Sequence, residues 1–171
     1  IDLANDWVIY MDADERVEFD FSKLNAISTV KTDAYRFRLF DYYITTEDVD
    51  KRYTERKWLG PEYRDILFLF RASVIQGWKA SAARQPNLSS KNIAQEGFVK
   101  HYGKSISFAQ WEETSRYYSE RNFPVQKSMK PKWSARKGKA VHTDKSDFGW
   151  PLIQWHEKET KGVPMGRKPP K

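Results

Sequence analysis

The chain has 171 residues, 39% of them hydrophobic, with seven tryptophans, nine tyrosines and ten phenylalanines, which is enough apolar side chain for one domain with a core and too much for a wholly disordered chain. It contains no cysteine, which excludes disulfides and thiolate metal sites. No apolar run approaches the roughly 20 residues that cross a bilayer, so the expectation is a cytoplasmic protein without a transmembrane segment. The net charge of +7 is uneven: residues 121–171 carry 13 Lys/Arg and 4 Asp/Glu, against 17 and 19 in the preceding residues.

Ile1 to Asp6 lacks the basic start and apolar stretch of a signal peptide. The segment Trp7–Met11 reads at once as a buried strand, so a piece beginning mid-domain is expected. The strand closes on acids at Asp12, Asp14 and Glu15, the pattern of a sheet delivering carboxylates at a strand end. Asp20-Phe21-Ser22 offers capping residues, and Leu24, Ile27 and Val30 recur at helical spacing, predicting a short helix over 22–31. Residues 34–44 alternate aromatic or aliphatic with polar side chains, predicting a strand with one wet face. A polar excursion covers 45–61.

Asp65–Arg71 is a second strand, followed by a turn at Gly77 and a loop around 85–92. Gly97–His101 gives a further short strand. Over 107–121, Phe108, Trp111, Thr114 or Ser115 and Tyr118 fall on one face, with Glu112, Glu113, Arg116 and Glu120 elsewhere, the strongest helical signal in the chain. Beyond Pro124 no period is sustained, and a flexible terminus is expected from Gly162. His156-Glu157 has no second spaced histidine, which excludes a zinc-protease motif. No glycine-rich phosphate loop or nucleophile elbow is present either.

The pair Asp12 and Asp14, one residue apart after a hydrophobic strand, suits one hard divalent cation and an attached diphosphate; the alternative is a solvated turn. Asn5–Glu15, with its Asp-Ala-Asp-Glu, resembles the donor motif of family 2 glycosyltransferases. Leu67–Arg71, Gly77-Trp78-Lys79, Phe98–Gly103 and Glu112–Ser119 are similar to later segments of that family, in the same order. The resemblance covers residues 5–121 and implies an α/β, GT-A (Rossmann-like) mixed, mostly parallel sheet with flanking helices. Residues 1–123 would be the C-terminal part of the catalytic domain, without its nucleotide-binding half, and 124–171 a basic, partly irregular extension.

The implied reaction moves a sugar, with inversion, from a nucleotide-sugar donor to a hydroxyl of a carbohydrate or lipid-linked acceptor. Asp12, Asp14 and His101 would hold Mn or Mg. Arg71 would join the two aspartates at the donor, where the alternative is a solvated arginine ending a strand. Trp78 would stack on the acceptor, or pack in the core. His101 is otherwise a hydrogen-bonded structural histidine, and Glu15 either orients a ligand or favours its turn. Relatives carry a His-Glu pair where this chain has Ala83-Arg84, so the usual base is replaced; Glu96 is the next candidate, its alternative being an ordinary surface acid. Two further readings are a degenerate, non-catalytic binding module and a protein directed to nucleic acid, or to an anionic membrane surface, by its basic tail.

Overall fold

A computed structural model describes residues 6–24, 32–78, 86–120 and 133–170. The contacts divide the chain into two units, Ile1–Leu39 with Arg64–Lys100, and Phe40–Tyr63 with His101–Lys171.

In the first unit, β1 (Trp7–Ile9) and β2 (Glu15–Glu18) join segments of the long strands β3 (Ala34–Tyr42), β5 (Trp58–Arg71) and β8 (Ile93–His101) in the order β1-β5-β3-β8-β2. β1 runs antiparallel to β5, with Val8 opposite Phe70. Tyr35, Phe37, Leu39, Phe68 and Val99 form a buried cluster, covered by Trp7, Val17, Phe19 and Leu24. Ala34, Leu67 and Phe70 form a second, against Val8, Ile75, Leu88 and Ile93. Alternation explains the split: β3 sends Tyr35, Phe37 and Leu39 to one face and Ala34 to the other. Ring packing dominates the larger cluster, with Phe19 stacked on Phe37 at 5.1 Å and Phe37 beside Phe68 at 5.7 Å. Gly97 fits here for two reasons. Its φ is +89°, and a Cβ would lie 3.1 Å from Phe19 and 3.3 Å from Phe37. A hairpin of β6 (Ile75–Trp78) and β7 (Pro86–Leu88) completes the unit.

In the second unit, the first half of β5 exchanges partners along its length. Leu59 faces Ile153 of β10 (Ile153–Gln154), and Glu62 faces Val163 of β11 (Val163–Pro164). Pro61, which has no N–H to give a ladder, falls between these two pairings. The short β4 (Ile44–Thr45) pairs in parallel with β9 (Val141–His142). Helix α1 (Phe108–Glu120) starts where the Ser107 hydroxyl accepts the Gln110 N–H at 3.1 Å, an N-cap. It buries Trp111 and Ser115, one turn apart.

The expected helix-flanked, mostly parallel GT-A sheet is corrected by this architecture. Among the described residues strands predominate, helix amounts to α1, one turn at Lys158–Lys161, residues 133–134 and short 3-10 turns, and the sheet pairs antiparallel at β1 and β10 and parallel at β11. The link of residues 10–14 between β1 and β2 is shorter than the dozen or so residues of a parallel crossover, so no flanking helix fits there. Smaller expectations also change. β5 begins at Trp58, inside the expected polar excursion, and β3 is buried at Phe40, Asp41 and Tyr42 in succession rather than wet on one face. Residues 21–24 form a 3-10 turn, while the rest of the helix expected over 22–31 lies outside the described residues. The terminus expected to be flexible pairs through Val163, and Met165 N–H bonds the Tyr63 carbonyl at 2.8 Å. The helix over 107–121 and the strands at Ala34 and Gly97–His101 form where expected, whereas the strand expected to be buried over Trp7–Met11 is the short β1 at the end of the sheet order, with Ile9, Tyr10 and Met11 exposed.

Candidate functional site

β1 is prolonged by the Tyr10 N–H, which bonds the Phe68 carbonyl at 2.9 Å. The chain then reverses over Asp12–Glu15. Glu15 N–H donates to the Asp12 carbonyl at 3.2 Å, and the fully buried Glu15 carboxylate accepts the Asp12 N–H at 2.8 Å. Arg16 closes the other side by donating to the Ala13 carbonyl at 3.0 Å. Glu15 therefore holds the turn, and the turn carries Asp12 exposed and Asp14 half-buried. Among the described residues no three His, Asp or Glu side chains are grouped to hold a metal ion. A cation here would take the rest of its shell from phosphate oxygens and water, as Mg2+ commonly does.

Other predicted residues of this unit have assigned neighbours. Arg71 lies over the Trp7 ring at 4.7 Å, with Nε 3.9 Å from an Asp33 carboxylate oxygen. Trp78 is 51% exposed, so it is not a core residue, and its ring meets the exposed Tyr10 at 5.3 Å. The two rings are tilted by 55° to each other, and Tyr10 lies two residues before Asp12 in sequence. Glu96 is in an exposed ion pair with Lys23. Ala83 and Arg84 lie outside the described residues.

His101 belongs to the second unit, where charge is buried. Its Nδ1 is 2.5 Å from Asp41 Oδ1. A carboxylate there accepts, so in the neutral ring the lone pair sits on Nε2, the form in which histidine ligates metals. Lys104 Nζ bridges Asp41 at 2.9 Å and Asp147 at 3.2 Å, and donates to the Tyr43 hydroxyl at 2.9 Å. Asp147 also pairs with Arg136 and lies 3.2 Å from His142 Nε2. Burial opposes the Lys104 charge, but Asp41, Tyr43 and Asp147 hold its pKa above the ordinary lysine value. Burial likewise opposes the Asp147 charge; the His142 hydrogen bond, Lys104 and Arg136 outweigh it and hold this carboxyl well below its usual range. Burial pushes the Tyr43 phenol up. It also raises Glu62, against a hydrogen bond from Ser146. A Cβ at Gly60 would crowd the Glu62 carboxylate, Tyr43 and Ser146, so a larger residue there would make the carboxylate shift.

Comparison of the chain with protein-family models, curated proteins and solved structures finds no match. Function is therefore argued from the residues. Sequence reading missed Asp41, Lys104, Arg136 and Asp147. One signal was available: Asp41 is a lone acid within Leu39-Phe40-Asp41-Tyr42-Tyr43, and a carboxylate inside an apolar strand requires a partner.

Proposed function

We propose that the chain acts in glycosyl transfer from a nucleotide sugar, with Asp12 and Asp14 holding a divalent cation on the donor diphosphate. The observation that carries this reading is the Asp12–Glu15 turn. Its backbone is tied by a buried glutamate, so two carboxylates are presented without having to organise the loop when the cation arrives. The cation would offset charge growing on the leaving diphosphate. The resemblance around Asp-Ala-Asp-Glu supports the donor class, and the exposed Trp78 ring beside Tyr10 is available to an acceptor sugar on the same unit.

The test is cation-dependent release of nucleoside diphosphate from a panel of nucleotide sugars, wild type against Asp14→Asn. Loss of more than about tenfold, at least 1.4 kcal/mol of transition-state stabilisation, is expected with thermal unfolding unchanged. Undiminished release at saturating cation removes the assignment.

The Lys23–Glu96 ion pair favours a second reading. With Glu96 held in an ion pair by Lys23 and Ala83-Arg84 in place of the His-Glu pair, the chain would bind donor without transferring it. If Glu96 is the base, Glu96→Gln slows acceptor-dependent transfer about 100-fold or more. A binding module shows donor binding and no transfer before any mutation.

A further inference from the structure

We propose that a pocket in the second unit, walled by Arg136, Lys139, His142 and Lys145, binds the phosphate group of a small organic ligand. The cavity is about 510 Å³ and includes Gly138 and Asp147 in its wall, a volume in the range of small-molecule sites. None of these residues takes part in the proposed cation turn.

Charge defines what fits. The pocket has three permanent cations and one carboxylate, and that carboxylate is already saturated: Asp147 receives Arg136, Lys104 and His142. Lys139 and Lys145 make no ion pair with any described residue, so their charge stays in the pocket. An anion with more than one negative charge is the complement.

Arg136 is the second observation. It is only 6% exposed, lies 4.2 Å over the Trp133 ring, and gives one end of its guanidinium to Asp147. Its Nε has no acceptor among the described residues. A buried N–H of this kind costs stability until an acceptor arrives, and a guanidinium edge suits phosphate oxygens. The framework is also held in advance. Trp111 Nε1 donates to the Arg136 carbonyl at 2.8 Å, Gly138 N–H donates to a Glu112 carboxylate oxygen at 2.8 Å, and Lys145 is bridged to Pro151. Concavity favours a small molecule over the sugar-phosphate backbone of a duplex, which tracks along grooves or stripes of charge.

The probes are pyrophosphate and ribose 5-phosphate, titrated calorimetrically into the whole chain at low salt. EDTA is present, so that a cation at Asp12 and Asp14 contributes nothing and failure here leaves that reading intact. Saturable binding is expected, weakened at least about tenfold in Lys139→Ala/Lys145→Ala. The exposed control Lys91→Ala/Lys168→Ala should keep wild-type affinity, with circular dichroism confirming that both variants fold. Sedimentation with phosphatidic acid vesicles identifies the source: binding lost in the pocket variant assigns a lipid headgroup, and its absence a soluble phosphate ester. The proposal is overturned if the wild type shows no saturable binding, if both double variants weaken alike, or if a short nucleic-acid duplex binds and pyrophosphate does not compete.

Discussion

The first unit buries rings around β3, β5 and β8, whereas the second buries a chain of charges, His101–Asp41–Lys104–Asp147, with Arg136 and His142 at its end. Phe37 and Lys104 are both nearly enclosed, yet they are held in different ways. Phe37 gains from removal of apolar area from water, which is indifferent to direction and largely to pH. Lys104 gains from two carboxylates and a hydroxyl at 2.9–3.2 Å, which offset the loss of hydration only while all remain in place. A core of rings degrades by cavities, a core of charges by imbalance.

The largest effects test that contrast directly. Phe37→Ala and Lys104→Met should each destabilise by about 3–5 kcal/mol in denaturant unfolding, the first through a cavity and the second by leaving Asp41 and Asp147 without their shared cation. Only the second should be partly rescued by a companion Asp147→Asn. Equal rescue of both, or of neither, would erase the distinction between the units.

A smaller effect is the response to acid. The Asp147 pKa is depressed in the folded chain, so its contribution is present above the unfolded value of about 3.9 and is lost as pH falls through the folded value. Thermal melts of the wild type should fall steeply below about pH 4. Asp147→Asn, already lower at neutral pH, should show a flatter acid limb. Parallel curves would mean that this carboxylate is not linked to folding.

The smallest effect has the opposite sign. Burial raises the Glu62 pKa, so its contribution is fully present below the unfolded value of about 4.3 and is lost as pH rises through the raised folded value. Glu62→Gln keeps an oxygen for the Ser146 hydroxyl and removes the buried charge. It should be neutral or more stable by about 1 kcal/mol at pH 8, with no gain at pH 4.

Parts of this molecule were legible in the chain because they depend on near neighbours. Helix α1 follows from the spacing of Trp111 and Ser115 behind Ser107, and the second half of β5 from the apolar run Ile66–Phe70. The turn at Asp12–Glu15 joins residues three apart. The helix-flanked sheet was different: it came from resemblance at a few motifs, and helical period was present over 107–121 and only a short stretch before Ala34.

Side-chain period or composition over a few residues sets the strands at Ala34, Asp65–Arg71 and Gly97–His101, the main helix and the positive charge of residues 121–171. Tertiary structure alone decided which strands pair, and that β5 changes partner at Pro61. It decided that Tyr10 meets Trp78, that Lys104 joins Asp41 to Asp147, and that Arg136 turns part of the basic tail into a pocket wall. The physical reason is range. Hydrogen-bonded ladders and buried ion pairs are satisfied by whichever distant group the fold brings to about 3 Å, and no local pattern encodes that distance.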